Sequence, residues 1–348
     1  EEETASFHII AKDLNLLNFE SLFKEYFPQI KYTGDISLEA NFKIKKGTFA
    51  VANGDFSSDK LSLVGLNSSF PLNLFNVEGN FEIELTDGKP TIKGKIRSAE
   101  GQWEQLYFQS LQADYLLLEK RLDINKCEIK LANGTIYLNG NIDFTKNPPV
   151  FFVKLTGEKI DVGSISEKWG NTRPISGMLF ADGNLSGEFG KPTTYSGRAK
   201  IKIDEGDLGE IGLIGRILTF SPLAAVSGDL SLTTLEGDFD ISEGYASTDN
   251  VIIKGPGMKI TAIGNVGWNK KLDFILSIYA SSEIMKGFSI TKMLGVIMDD
   301  FGNILRKIKL NGTIANPEFT IIPLGIGRTI KEGFEKSFKN GPSDTNKP

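Results

Sequence analysis

The chain has 348 residues and a formal charge of 39 − 44 = −5, with one histidine and one cysteine. A single cysteine excludes an intrachain disulfide framework, and one histidine with one cysteine excludes a His/Cys metal cluster. The acidic balance, without a long basic run, argues against a nucleic-acid surface.

The length admits one long or two ordinary domains, and an apolar fraction of 40% is ample for a core. The 37 glycines follow no collagen period and fit many tight turns. No window of 18 apolar residues spans a bilayer as a helix, and no signal peptide is expected within these residues. The chain begins at Glu1 without methionine, so it is expected to be a piece of a longer protein, with an anchor lost upstream.

In chain order, TASFHIIAKDL at 4–14 reads as a strand. NFESLFKEYFP at 18–28 reads as a short helix with Phe19, Leu22, Phe23, Tyr26 and Phe27 on one stripe. Asn18 is the expected N-cap and Pro28 the stop. From Gly34 onward strands follow almost without break. DISLEANFKIKKG places Ile36, Leu38, Ala40, Phe42 and Ile44 on one face and polar residues on the other. About twenty such segments follow, punctuated by Gly/Asn/Asp turns such as SEG at 242–244, GPG at 255–257 and WNKK at 268–271.

Helices are few. A weak one is expected at 206–220, where four glycines each cost about 1 kcal/mol relative to alanine. A stronger one is expected at 289–305, within a helical insert 283–306, with Ile290, Met293, Leu294, Ile297, Phe301, Ile304 and Leu305 on one stripe. Next come a hairpin, KIKLNGTIANPEFTII, and an amphipathic helix at 324–339 that either touches a membrane or packs on the hairpin. A disordered tail ends the chain. The expected organisation is one elongated β domain over 1–322, followed by the helix and tail at 323–348.

The expected fold class is mostly β: an elongated, strongly curled antiparallel sheet forming a groove, with a few short amphipathic helices. About twenty alternating strands have one apolar face, and three or four short helices cannot cover it. The inward, groove-lining positions are Ile36, Phe42, Phe81, Ile83, Ile136, Leu138, Phe151, Ile201, Phe239, Val251, Ile260 and Phe274. Cys127 aligns with Ile129 and Leu131, as a small buried hydrophobe does.

No catalytic constellation is present. His8 sits alone at strand spacing. GNLSG at 183–187 has its serine one place too late for a nucleophile elbow. GPGMKI at 255–260 precedes no helix and is not a dinucleotide loop. The carboxylates alternate along wet faces, as solvating groups do. No enzyme activity and no cofactor are expected.

The order of short motifs resembles that of AsmA-like proteins. LANGTIYLNGNIDFTKNPPVFFVKLTGEKIDVGSI looks like their strand unit with G-x-h-D and h-D-h-x-x-h, where h is hydrophobic. ISGMLFADGNLSGEFGKPTTYSGRAKIKIDEGDLGEIGLIGRIL is similar to their glycine-spaced unit with its following helix. LEGDFDISEGYASTDNVIIKGPGMKITAIGNVGW and KLNGTIANPEFTIIP look like their C-terminal signature and closing strand pair. The likeness covers about 125–323 well and the first third in style alone.

The resemblance implies a periplasmic protein of a diderm bacterium, held in the inner membrane by an N-terminal helix absent here. It also implies a β-groove of the bridge-like lipid-transfer kind. Its partners would be phospholipids or other acyl-chain lipids, membranes at one or both ends, and envelope proteins. Three functional readings compete: a lipid conduit, an assembly scaffold for outer-membrane proteins that uses sheet edges as templates, and an enzyme or adhesin on a β-solenoid.

Overall fold

The computed structural model describes residues 4–21, 24, 30–45, 48–65, 71–86, 89–104, 106–168, 176–207, 232–280, 297–299, 302–314 and 316–322. They are mostly strand, in a large antiparallel sheet that is not closed into a barrel, with few helices. The chain divides into two units: Glu1–Asp204 with Phe239–Gly244, and Glu205–Asp238 with Tyr245–Pro348.

The first unit opens with β1 (Thr4–Asn15), β2 (Ile30–Thr33), β3 (Asp35–Lys45), β4 (Thr48–Gly65), β5 (Leu72–Thr86) and β6 (Lys89–Trp103). It continues with β7 (Leu106–Phe108), β8 (Ser110–Leu118), β9 (Arg121–Leu131), β10 (Gly134–Asp143), β11 (Val150–Asp161), α1 (Val162–Lys168) and β12 (Ser176–Glu188). Pairing runs β1, β3, β4, β5, β6, β8, β9, β10, β11, β12, all antiparallel. Short β2 and β7 lie in line with β3 and β8, pairing with β4 and β6 respectively.

Neighbours in sequence are neighbours in space because the turns are short. Ala132 and Asn133 carry φ of 48° and 61°, the doubly positive geometry of a two-residue hairpin turn. Glu243 and Gly244 repeat it at 51° and 85°. The short helix expected near 18–28 is helical where described but starts earlier: a 3-10 turn at Leu16–Phe19 is capped by Asn15 and contains Asn18, the expected cap, and Glu20, Ser21 and Lys24 are helical.

The long strands of unit 1 are broken along one line. Opposite pairs Ser58–Val77 and Lys60–Phe75 flank Asp59 and Asn76, and Val77–Ser98 and Phe75–Glu100 flank Ala99. Each break leaves carbonyls without a ladder partner, and a buried hydroxyl supplies one. Ser58 Oγ lies 2.6 Å from the Asp35 carbonyl and 3.1 Å from that of Lys60. Ser98 Oγ lies 2.9 Å from the Phe75 carbonyl and also accepts the Phe75 N–H. Ser98→Ala is expected to lower unfolding stability by about 2 kcal/mol, read from the urea midpoint, because it strands these buried groups.

Below this line the apolar face is dry. Leu74, Val77, Phe108, Leu131, Ala132 and Ile160 form a buried cluster, with Ile165 of α1 packed against it. Asp161 caps that helix: its carboxylate accepts the Gly163 N–H at 2.9 Å and the Ser164 hydroxyl at 2.7 Å.

The strand β13 (Ser196–Asp207) and the strand β14 (Thr234–Ser242) contain two of the three boundaries between the units, and the third falls at the turn after β14. The second unit continues with β15 (Tyr245–Gly255), β16 (Met258–Gly267), β17 (Leu272–Ala280), β18 (Ile297–Asp299), β19 (Gly302–Gly312) and β20 (Pro317–Ile322). Its ladder runs β15, β16, β17, β19, β20, with β18 on β19.

The helix expected at 289–305 is not formed over its described residues. Residues 297–299 and 302–305 are strand, with Ile297 opposite Ile304 and Asp299 opposite Gly302. Ladder pairing with β17 overrides a helical stripe that β-branched Ile297 and Ile304 and the helix-weakening Gly302 support poorly. Residues 289–296, most of the helix expected at 206–220, and the segment 324–348 lie outside the described residues; Gly206 and Asp207 end β13 as strand.

Candidate functional site: an apolar face of unit 1

The register sets apolar side chains in rows that cross the strands. One row reads Phe7, Phe42, Ala52, Ile83, Ile92, Leu117, Leu122, Ile142 and Phe151, each directly opposite the next. The next reads Ile9, Ala40, Gly54, Phe81, Gly94, Tyr115, Ile124, Gly140, Val153 and Leu185. A third reads Ala11, Leu38, Phe56, Gly79, Ile96, Ala113, Cys127, Leu138 and Leu155. Nine or ten strands spaced about 4.8 Å give rows about 40 Å long.

Glycines in these rows seat large neighbours. Phe56 lies over Gly79, and the Tyr115 hydroxyl lies against Gly94 and donates to the Asn80 carbonyl at 3.1 Å. Burial raises the Tyr115 pKa, which keeps that hydroxyl a donor. Cys127 is buried in the third row, and burial pushes its thiol up to about 11, so it is a packed hydrophobe and a poor nucleophile.

The rows above this line of ladder breaks are only half covered. Phe42, Ile83, Ile92, Leu117, Leu122, Ile142 and Phe151 are half-buried, and Phe7 is 52% exposed. The opposite face is wet: Lys93 pairs with Glu82 at 3.1 Å and Lys95 with Asp114 at 3.6 Å. The hydrogen bond from Lys93 holds the Glu82 carboxyl below its ordinary range. A depression of about 580 Å³, lined chiefly by Asn, Asp, Glu and Lys side chains, lies among these residues.

The twelve sequence-derived lining positions separate into four groups. Phe42, Ile83 and Phe151 share the first row, Phe81 sits in the second and Leu138 in the third, all half-buried. Ile136 packs against the dry cluster, while Ile36 is half-buried opposite Leu14. Ile201 and Phe239 are half-buried on β13 and β14. In unit 2, Val251 and Ile260 are buried outright, Ile260 at 1%, and Phe274 is half-buried between Gly264 and Leu310. Sequence reading passed over Phe7, Ile92, Leu117, Leu122 and Ile142, although the same two-residue alternation marks several of them.

The described residues contain no cluster of His, Cys, Asp and Glu fit to hold a metal ion, and no helix long and apolar enough to cross a membrane. The fold and this face define a class: a large open antiparallel sheet with a half-covered apolar face. No protein-family model, curated protein or solved structure matches the chain.

Proposed function

We propose that the chain is a lipid-binding β-groove that carries phospholipid between the inner and outer membranes of a diderm bacterium. It acts in the periplasm as an AsmA-like protein, with no catalytic chemistry of its own. One observation supports this above the others: half-covered apolar rows run across nine or ten strands of unit 1. A face about 40 Å by 20 Å exceeds the few hundred Å² of contiguous apolar surface usual on a soluble monomer. Acyl chains can cover it, each methylene contributing about 0.8 kcal/mol when fully buried. Equivalent rows let a chain slide where one deep well would hold it. Curling of the sheet around the chain belongs to this proposal.

Photo-crosslinkers at Phe42 or Ile83 should capture phospholipid, and one at Asn53 on the wet face should not. The double substitution Phe81→Asp and Ile83→Asp should lower copurifying lipid at least tenfold by native mass spectrometry, whereas Asn53→Lys should leave it unchanged. A folded protein with no adduct at any inward position favours the second reading, an assembly scaffold for outer-membrane proteins. The observation behind that reading is β1, a twelve-residue strand whose pairing among the described residues is with β3 and whose Phe7, Ile9 and Ile10 are exposed.

A further inference from the structure

We propose that the edge of β1 pairs with β1 of a second copy of this chain, antiparallel, about a two-fold axis at His8. Among the described residues, β1 pairs with β3 and its other edge carries no ladder. Every residue from Thr4 to Ile10 is exposed, whichever face it stands on. Such an edge is a template for another strand, and proteins usually blunt it with proline, charge or a bulge. From Thr4 to Ala11 there is no proline, lysine, arginine or carboxylate. The bulge comes after this run. Ala11 faces Leu38 and Leu14 faces Ile36, so Lys12 and Asp13 share Ser37, with Asp13 at a φ of 52°. By contrast β20, which pairs with β19, has six residues and starts on Pro317 and Glu318. A copy's β20 is therefore the poorer partner.

The residues of β1 select the register. Directly opposite residues of an antiparallel pair share a face, and an axis at His8 keeps Ala5 to Ala11 of both copies inside the straight run. It sets Phe7 against Ile9 of the second copy and Ala5 against Ala11 on the apolar face. On the wet face it sets Ser6 against Ile10 and His8 against its own counterpart, and Ile10, now 61% exposed, gains cover. The His8 ring is drawn towards its own sheet, with Nδ1 2.9 Å from Asn41 Oδ1 and Nε2 3.5 Å from Glu39 Oε1, which leaves the axis clear. This register forms about six to eight backbone hydrogen bonds, within the range of about five to fifteen in a typical protein interface. Continuity of the apolar rows favours a second copy over a foreign segment. The rows that start at Phe7, Ile9 and Ala11 run on into those of the copy, on the same side, and grow from about 40 Å to about 80 Å. A foreign segment would add one strand and end them there.

The inference goes beyond the lipid reading and is tested without lipid. Sedimentation equilibrium of the full chain, at up to about 0.1 mM, should give twice its mass of 38.2 kDa. Ile9→Lys puts a charge on the exposed edge, and His8→Lys sets two ammonium groups opposite each other. Each should weaken the dimer at least about tenfold with an unchanged circular dichroism spectrum. Asn53→Lys on the wet face of β4 should leave the dimer intact. His8→Cys should form an intermolecular disulfide on mild oxidation, because directly opposite Cα atoms lie about 4.5–5.5 Å apart. Ile10→Cys should not, since its counterpart lies about 13 Å along the strand. The native Cys127 is buried and gives no background. A dimer indifferent to both lysines, or a disulfide at Ile10→Cys as fast as at His8→Cys, overturns the proposal. A folded monomer at every concentration also overturns it and leaves β1 to the scaffold reading. The Ile83 crosslink is read on the same preparation. A monomer with the lipid adduct removes the dimer and leaves the lining, and a dimer without an adduct upholds the pairing and removes the lining.

Discussion

Ile260→Asp should unfold the second unit. Ile260 is 1% exposed, between Ile253 and Ile278 in neighbouring strands, both buried as well. Deleting its side chain forfeits about 3 kcal/mol of burial, and a carboxyl in its place adds a desolvation cost of at least about 2 kcal/mol even when it protonates. A total near 5 kcal/mol is a large share of what a domain of this kind has in reserve. The urea midpoint of unit 2, followed by limited proteolysis, should fall far below that of unit 1. Thr261→Asp, one residue on and facing the half-exposed side, should move it by less than about 1 kcal/mol. Equal effects of the two would mean that Ile260 is not buried as described. The same burial makes Ile260 a poor place to test lipid loading: an introduced charge there would report folding, which is why Phe42 and Ile83 carry that test.

Gly264→Ala is the second large effect expected. Gly264 has φ of +154°, which side-chain-bearing residues rarely adopt, and a Cβ there would meet the Asp273 carbonyl and the Phe274 Cα. Both are backbone of the paired strand, so nothing flexible can move aside. Strain of about 1–3 kcal/mol and a packing cost of similar size give a loss of about 3 kcal/mol in thermal or urea unfolding. Gly157→Ala is the contrast. Its new methyl would meet the end of the Ile160 side chain at 3.0 Å and Ala181 Cβ at 3.6 Å. A small rotation of Ile160 relieves the first contact, and reduced freedom of the unfolded chain offsets part of the cost. A net change within about 1 kcal/mol is expected there. A Gly264→Ala protein as stable as the parent would show that β16 and β17 are not held this close.

Much of the local structure was legible. In DISLEANFKIKKG the alternation fixes one apolar face, and the ladder sets Phe42 against Ala52 and Ala40 against Gly54 on that face. SEG and GPG mark turns because their backbone needs positive φ, and Gly244 and Gly257 show it at 85° and 76°. The helix at Val162–Lys168 was missed although D-V-G-S contains its cap, since seven residues show too little of a helical stripe to read. The segment around Ile297 and Ile304 was misread because i, i+3, i+4 spacing in a short apolar stretch does not distinguish a helix from paired strands. The ladder breaks beside Ser58 and Ser98 were missed because their need for a buried hydroxyl arises only from the neighbouring strand.

By itself, the sequence determined the strands, their apolar faces and most of their turns, because side-chain alternation and turn chemistry act over two to four residues. The tertiary structure decided which apolar faces are closed and which stand half open. Phe42 and Ile260 look alike in their strands, yet one is half-buried and the other sealed. Cover comes from groups distant in the chain, as when Ile165 of α1 packs against the buried cluster that contains Leu74 and Phe108. It was also the register that placed Lys254 opposite Lys259 and set Phe7, Phe42, Ile83 and Phe151 in one row. Register depends on pairing across strands, and a single strand carries no record of which neighbour residue it will face.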